Sequence, residues 1–412
     1  MRVFLLNTGT ELLLGDVRDA HLSFIASHLL PLGLRIAEQR TVPDGPAIRD
    51  TLKEVFTKAD LIFVTGGLGP TSDDITRDLV AELLGLNLVR NETVRQAITE
   101  RLAQRRIQVT NSILRQAAAP EGAQILPNAF GTAPGLFLAA GINPAMASPH
   151  LFLLPGPPRE LQPMFRESVR PILQSLFPNP ETIVRRLYKI ANVGESVVEA
   201  AVGEKLLAIP GLEIGYCARP GEVDLRIVGG IEAISRGESI IMESLGSSIF
   251  TSSDQMLEEV LVRSLVERKE TVVVAESCTG GLLAHRITNV PGASEVFLAG
   301  YVTYANEVKA DVLRVDLRRM EQQGAVSAEV ACAMAEGART RSGATHALAT
   351  TGIAGPGGGS VEKPIGTVFV GLASATAQTT AHKFFFPTDR ETFKQMVAQA
   401  AFELLRKALT RL

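Results

Sequence analysis

Short apolar segments that end in glycine- and threonine-rich turns constrain the fold of this chain more than any other feature. Such segments lie at residues 2–6, 61–64 and 271–274, and a helical pattern follows each turn. Strands that alternate with helices form parallel sheets covered by helices. Ligands bind such sheets at the carboxyl ends of the strands, where these turns fall. The sequence therefore predicts an α/β protein with binding sites at its strand ends.

Two boundaries divide the chain into three predicted domains. The first boundary follows a predicted helix of residues 157–176, which Pro178 and Pro180 prevent from continuing. The second is a serine-rich stretch at residues 247–254. Prolines and serine clusters break regular structure and mark linkers. The predicted domains are therefore residues 1–178, 179–252 and 253–412. The middle domain has the pattern of a small α+β module, beginning with a strand at residues 182–190.

Composition excludes several classes of protein. The 412 residues are 46% hydrophobic and carry a net charge of −3, which predicts globular domains and argues against nucleic-acid binding through bulk charge. Three widely spaced cysteines predict neither disulfides nor a thiolate zinc site, and they fit a reducing cytoplasm. We expect no signal peptide and no membrane helix, because no apolar run approaches the roughly 20 residues that a span needs.

The turn at residues 65–74 has the composition of a phosphate and metal site. Its three glycines allow a ligand to approach the backbone, and Asp73 with Asp74 is expected to open the next helix. Carboxylates beside phosphate-binding amides suit Mg²⁺-type cations, which share oxygen ligands with substrate phosphates. Alternatively, the two aspartates only cap the helix and favour its dipole.

The turn at residues 275–281 has the pattern of a nucleophile site. Ser277 follows a strand directly, and the free N–H groups of the next helix are expected to point at a ligand or an oxyanion. Tyr304 and Lys309 are predicted near a strand end within reach of Ser277, and a buried lysine can act as its base. Alternatively, Ser277 caps the helix and Lys309 is a solvated surface lysine.

Two further segments of the C-terminal part suggest anion binding. A third glycine-rich stretch covers residues 350–360, although such a loop is a weak signal when it stands alone. Arg390 precedes the last predicted helix and could form a fork for phosphate or carboxylate. Its alternative role is a structural ion pair.

Three N-terminal motifs, at residues 7–16, 66–74 and 154–160, resemble the competence/damage-inducible protein CinA family. The resemblance implies a molybdopterin-binding-like fold and an ADP-ribose pyrophosphatase that uses a divalent metal (Mg²⁺, Mn²⁺ or Co²⁺). It implies that Asp73 and Asp74 bind this metal. Ser112 and Arg115 depart from the family pattern and leave the details of the ligand contacts open. The remaining site residues that the resemblance implies are Thr8, Glu11, Gly66, Gly67, Gly69 and Thr71, with Pro155, Gly156, Pro157 and Arg159 at the pocket rim.

Five C-terminal motifs, of which the first lies at residues 275–281, resemble the nicotinamide-nucleotide amidohydrolase domain of the same family. The resemblance implies that nicotinamide mononucleotide is hydrolysed to nicotinate mononucleotide and ammonia, with no metal or cofactor. Our hypothesis assigns Ser277 as nucleophile, Lys309 as base and Tyr304 as oxyanion donor, while Thr351 positions the nucleophile or leaving group. Thr388 departs from the family, which often has glycine there. The expected substrate-binding residues are Thr279, Gly280, Gly281, Gly352, Gly355 and Arg390.

The middle domain is similar to a KH-like domain, but its loop at residues 192–195 lacks the two-glycine clamp used for RNA. A spacer or dimer-packing role is therefore favoured, and a homodimer is expected. The whole chain is interpreted as a pyridine-nucleotide salvage enzyme. The alternative is a nucleotide-sensing, largely non-catalytic adaptor in competence or recombination.

Overall fold

The computed structural model describes residues 1–178 and 183–410. These residues belong to two compact units, Met1–Val184 and Arg185–Leu412. Residue 179, where the middle domain is predicted to begin, and Thr182, the predicted first residue of its first strand, belong to residues 179–182 and lie outside the described part. The division into three domains stays a prediction.

The first unit contains a six-stranded, mostly parallel sheet. Its strand order is β2-β1-β3-β8-β7-β6, with parallel pairing from β2 to β8 and antiparallel pairing of β7 and β6. A separate antiparallel ribbon joins β4 and β5. The strands are β1 Val3–Thr8, β2 Ile36–Val42, β3 Leu61–Thr65, β4 Leu88–Arg90, β5 Ala118–Pro120, β6 Gln124–Leu126, β7 Gly135–Leu138 and β8 His150–Leu154.

Helices cover both faces of this sheet. Alternate residues of β1 and β3 point to opposite faces, so that Leu6 and Ile62 enter one core cluster and Leu5 and Phe63 enter the other. Every residue of both strands is buried, as expected for a sheet covered on two sides. The helices are α1 Thr10–Leu14, α2 His21–Leu29, α3 Pro46–Val55, α4 Thr76–Leu84, α5 Glu92–Gln104, α6 Asn111–Leu114, α7 Pro158–Met164 and α8 Arg170–Leu176.

Three elements of this unit differ from the sequence prediction. The second strand, expected at residues 34–37, is β2, whose polar middle residues suit the edge of the sheet. Asp73 and Asp74 do not open a helix; α4 begins at Thr76, because Thr71 and Asp74 bond to each other and close a separate turn. The single helix expected at residues 157–176 contains a π-helical segment, Phe165–Val169, between α7 and α8.

The second unit begins with a four-stranded sheet in the order β10-β11-β9-β12. It packs with two helices, and the turn between β10 and β11 lies against the long C-terminal helix, since a Cβ added to Gly221 would be 2.9 Å from that of Gln399. The elements are β9 Val184–Ala191, α9 Glu195–Leu207, β10 Glu213–Arg219, β11 Glu222–Gly229, α10 Ile231–Leu245 and β12 Ile249–Thr251.

A five-stranded sheet in the order β14-β13-β15-β16-β17 carries the C-terminal site. The first three strands are parallel and the last two antiparallel. Within residues 1–178 and 183–410, no helix combines the length and apolarity needed to cross a membrane. The elements are α11 Leu257–Arg268, β13 Val272–Glu276, α12 Leu282–Thr288, β14 Phe297–Val302, α13 Asn306–Leu313, α14 Leu317–Gln323, α15 Ala328–Ser342, β15 His346–Gly352, β16 Thr367–Ser374, β17 Thr380–Phe385 and α16 Arg390–Thr410.

Candidate active sites

Ser277 lies on a tight turn between the buried strand β13 and the helix α12. Its N–H donates to the carbonyl of Thr350 over 3.0 Å, which ties the turn to the neighbouring strand β15. The side chain is half-buried and lines a cavity at the carboxyl end of the sheet. Ser277 therefore lies at a strand end as the sequence predicted, but it is half-buried and not exposed.

The N–H groups at the start of α12 do not face the cavity, contrary to the prediction. The Glu276 side chain is fully buried and accepts hydrogen bonds from Gly281 (2.9 Å), Leu283 (3.1 Å) and Ala284 (2.9 Å). A carboxylate suits this position because helix N-termini carry unpaired donors and a positive partial charge. The internal carboxylate thus occupies the anion site that sequence reasoning assigned to a ligand.

Lys309 lies on α13 and not at a strand end, so that prediction was wrong. It is 1% exposed, and its Nζ donates to the carbonyl of Tyr304 over 2.8 Å. Within the described residues it has no carboxylate at ion-pair distance. Burial therefore lowers the pKa of Lys309, because the ammonium loses hydration that one carbonyl cannot replace. The solvated surface lysine considered from the sequence is excluded.

The C-terminal cavity brings most of the predicted catalytic residues together. Its volume is about 130 Å³. Thr351 donates from Oγ1 to the carbonyl of Ala325 over 2.7 Å, which fixes its side chain in the wall. The predicted residues in the wall are Ser277, Tyr304, Lys309, Thr351, Gly352 and Arg390.

Arg390 connects two parts of the cavity rim. Its Nη1 donates to the carbonyl of Gly355 over 2.8 Å, and its Nη2 donates to the hydroxyl of Tyr304 over 3.0 Å. The structural ion pair considered from the sequence is absent among the described residues, since both partners are neutral oxygens. Because Tyr304 accepts from Arg390, its own hydroxyl proton stays available for another acceptor.

Four predicted substrate-binding residues are not in this cavity wall: Thr279, Gly280, Gly281 and Gly355, of which Gly355 accepts from Arg390 through its carbonyl. Thr279 is fully buried, and its Oγ1 shares a hydrogen bond of 2.7 Å with Thr350 Oγ1, which links the Ser277 turn to β15. Gly280 and Gly281 shape the turn, with φ angles of +62° and +97° that a side chain would strain. Asn306 and Val326 also line the cavity. They lie within two of the five C-terminal motifs, but sequence reasoning gave them no role.

The second candidate site is a cavity of about 370 Å³ in the first unit, at the carboxyl end of its six-stranded sheet. Six predicted residues line it: Gly69, Asp74, Pro155, Gly156, Pro157 and Arg159. Gly69 has a specific function, because the Asp74 carboxylate occupies the space of a Cβ at that position. Asp74 in turn accepts hydrogen bonds from the backbone and hydroxyl of Thr71.

The other predicted residues of the first unit lie outside the wall of this cavity, and several hold the surrounding backbone. Thr8 Oγ1 donates to the carbonyl of Thr65 over 3.1 Å. Gly66 and Gly67 have positive φ angles and leave no space for a Cβ beside Thr8 and Thr76. Glu11 and Asp73 are exposed. These residues therefore shape the site or lie near it, and only Asp74 of the aspartate pair reaches the wall.

Sequence reasoning assigned no role to five polar or aromatic residues in this wall: Arg105, Gln116, Phe130, Thr132 and Glu160. Gln116 is 1% exposed, and its Oε1 has no hydrogen-bond partner within the described residues. Buried polar atoms are normally paired, so an unpaired oxygen in a cavity wall indicates a place for a ligand donor. Gln116 belongs to a segment that the sequence identified only for its departures at Ser112 and Arg115.

The donors near Asp74 fit a metal ion only in part. In the described parts of the chain no three His, Cys, Asp or Glu side chains form a cluster that could hold an ion. Mg²⁺ needs only one or two protein carboxylates when substrate phosphates and water complete its shell. Asp74 satisfies this smaller requirement, and exposed Asp73 could add a second oxygen. The residues thus fit a cation that arrives with a phosphorylated substrate.

Known proteins match nearly all of the chain. Residues 4–175 match the model of a probable molybdopterin binding domain, and residues 254–409 match the CinA C-terminal domain. A CinA-like protein of Akkermansia muciniphila is 42% identical over 402 residues, covering 97% of this chain and 96% of its own length. A putative competence-damage inducible protein of Moorella thermoacetica is also 42% identical, over 98% of this chain and 97% of its own. A competence/damage inducible protein from Agrobacterium tumefaciens of solved structure is 38% identical over 39% of this chain and 99% of its own, with a TM-score of 0.36.

Proposed function

Because the chain belongs to the CinA family, we propose that its C-terminal part hydrolyses the carboxamide of nicotinamide mononucleotide, releasing nicotinate mononucleotide and ammonia. Ser277 is the nucleophile and Lys309 its base. No metal or cofactor is needed for this reaction. The three free cysteines support a reducing cytoplasm as its location.

The observation that carries this proposal is the burial of Lys309 in the same cavity wall as Ser277. A serine hydroxyl is a weak nucleophile without a base. A lysine can accept its proton only when the amine is neutral, which a lowered pKa favours at physiological pH. Burial beside a carbonyl is costly for a lysine that has only a structural role.

The proposed reaction has two steps. Lys309 Nζ accepts the proton of Ser277 as Oγ bonds to the carboxamide carbon, and the Lys309 ammonium returns this proton to the amide nitrogen when the C–N bond breaks and ammonia leaves. Water then loses a proton to Lys309 and attacks the ester carbon. The bond from this carbon to Ser277 Oγ breaks, Lys309 returns the proton to Oγ, and nicotinate mononucleotide leaves. The Tyr304 hydroxyl and the N–H of Cys278, the residue after the nucleophile in the cavity wall, donate to the oxyanion.

Ammonia release from nicotinamide mononucleotide tests this proposal. The full chain is compared with Ser277→Ala in the presence of EDTA, and Ser294→Ala, an exposed serine of the same domain, is the matched control. We expect release by the parent and the control, and none by Ser277→Ala with unchanged circular dichroism. Full activity of Ser277→Ala would refute the assignment.

A second activity is proposed for the first unit, namely cleavage of ADP-ribose to AMP and ribose 5-phosphate. The unpaired oxygen of Gln116 supports it, in a wall where Arg105 and Arg159 can pair with a diphosphate. A divalent cation held by Asp74 and Asp73 would neutralise part of the diphosphate charge. The two arginines can donate to the diphosphate oxygens and the carboxylate can hold the cation, while Gln116 Oε1 can accept from a ribose hydroxyl of the same substrate.

EDTA and a single substitution separate this activity from the first. EDTA should abolish AMP formation from ADP-ribose and leave ammonia release unchanged. Gln116→Leu should lower AMP formation at least about tenfold, since it removes the buried polar group, while Gln104→Leu on the exposed end of α5 should not. AMP formation that survives both EDTA and Gln116→Leu would refute this site. Absence of both activities would favour the nucleotide-sensing adaptor.

A further inference from the structure

Lys394 lies outside the wall of the C-terminal cavity, one helical turn after the rim residue Arg390 on α16. Its Nζ is 3.7 Å from the position that a Cβ on Gly280 would take, so the ammonium lies over the turn that carries Ser277. Residues four apart on a helix are neighbours on the same face. Arg390 and Lys394 therefore present two positive charges to the same side of the site.

No acidic residue neutralises this pair. The ammonium of half-buried Lys394 has no hydrogen bond or ion pair among the described residues, whereas Lys407 on the same helix pairs with Glu403 at 3.3 Å. Arg390 contacts only the neutral oxygens of Tyr304 and Gly355. Asp389 accepts from the N–H groups of Glu391 and Thr392 at 3.0 Å, so its carboxylate serves the start of α16.

The N–H groups of Gly280 and Gly281, which lie nearest the Lys394 ammonium in this turn, cannot bind a phosphate in place of these side chains. The N–H of Gly280 donates to the carbonyl of Ser277 over 3.2 Å, and that of Gly281 donates to Glu276 over 2.9 Å. An anion at this rim must therefore be held by side-chain cations. The missing side chain of Gly280 leaves space for it beneath the Lys394 ammonium.

The size of the cavity indicates which part of a substrate reaches this rim. Its volume of about 130 Å³ is well below the roughly 300–1,000 Å³ of pockets that enclose drug-sized ligands. It can hold the pyridine ring and carboxamide beside Ser277, while the remainder of a nucleotide extends outward. A phosphate attached through ribose would then lie at the mouth of the cavity, near the two cations.

We propose that Lys394, with Arg390, binds the 5′-phosphate of the substrate and that Lys394 sets the preference for a phosphorylated substrate over the nucleoside. This inference rests on the proposed amidase function. Lys394 does not touch the reacting atoms, so its contribution is made in binding. Charge-assisted hydrogen bonds to phosphate contribute enough to change binding by about ten- to a hundredfold.

The test compares ammonia release from nicotinamide mononucleotide and from nicotinamide riboside. Lys394→Gln should raise KM for the mononucleotide by about ten- to a hundredfold with little change in kcat, and leave kcat/KM for the riboside unchanged. Lys394→Arg should restore most of the preference. Lys407→Gln, on the same helix but paired with Glu403, is the matched control. An equal loss for both substrates, or no loss for either, would overturn the proposal.

A binding measurement keeps this result separate from the amidase assignment. Calorimetric titration of Ser277→Ala with nicotinamide mononucleotide measures binding without turnover. Adding Lys394→Gln to this variant should weaken the binding. Raised salt should weaken the binding to Ser277→Ala alone. If the parent binds through Lys394 but releases no ammonia, the phosphate site stands and the amidase assignment fails. If the mononucleotide does not bind, the phosphate site is refuted. Turnover with a Lys394-independent preference refutes the phosphate site alone.

Discussion

Substitution of Glu276 by glutamine tests the internal cap that holds the nucleophile turn. Glu276 Oε2 accepts from the N–H groups of Gly281 and Leu283, and Oε1 accepts from Ala284. A glutamine of nearly the same shape keeps one acceptor oxygen and replaces the other with an NH₂ group. This NH₂ group would meet a backbone N–H, so two donors would face each other in a buried position.

The magnitude follows from counting these bonds. One buried N–H left unpaired costs about 1–3 kcal/mol, and the retained bonds lose the charge of the carboxylate, which makes them roughly half as strong. We therefore expect Glu276→Gln to lower the free energy of unfolding by about 2–4 kcal/mol. With a urea dependence of about 2 kcal/mol per molar, the midpoint falls by roughly 1–2 M. The kcat for ammonia release should fall too, because the turn carries Ser277.

Tyrosine fluorescence is a selective assay for this effect. The chain has no tryptophan and four tyrosines, at positions 188, 216, 301 and 304, all of them in the second unit. A urea titration followed by tyrosine emission therefore reports unfolding of the unit that contains Glu276. Glu321→Gln, an exposed glutamate of the same unit, is the control. Equal midpoints for the two variants would refute the capping argument.

Two further predictions concern the chemistry of the same site. Since burial lowers the pKa of Lys309, ammonia release should rise with pH to a plateau reached below the ordinary lysine value of about 10.4, and Lys309→Met should remove both the rise and most of the activity. If Lys309→Met still releases ammonia with the same rise and plateau in this pH series, Lys309 is excluded as the base. Tyr304→Phe should lower kcat by about ten- to a hundredfold, the low end for an oxyanion donor, because Tyr304 is 60% exposed and solvent partly replaces it. Unchanged kcat in steady-state assays would remove Tyr304 from the oxyanion site.

Most strands and turns could be predicted from the sequence, because they depend on the local pattern of apolar residues and glycines. Apolar runs such as residues 61–64 and 272–275 indicate buried parallel strands, and the glycines after them indicate a turn or a close approach. Two predicted boundaries were wrong. The bounds of β2 were missed because its polar residues obscure the alternation of apolar side chains, and the start of α4 was missed because Thr71 and Asp74 close a separate turn before it. The turn pattern already indicated Ser277, with Tyr304 and Lys309 within reach, and the family resemblance then placed all three in motifs of one domain.

The environment of each side chain was decided only by the tertiary structure. The sequence left Lys309 open between a base and a surface lysine, and its burial on α13 depends on packing between segments distant along the chain. It left the helix start beside Ser277 open for a ligand, although Glu276 closes it. Gln116 and Lys394 carry no motif. Within the described residues, Gln116 Oε1 and the Lys394 ammonium have no partner. This is a property of their three-dimensional surroundings, because hydrogen bonding and desolvation depend on which groups meet across the fold and not on their order in the chain.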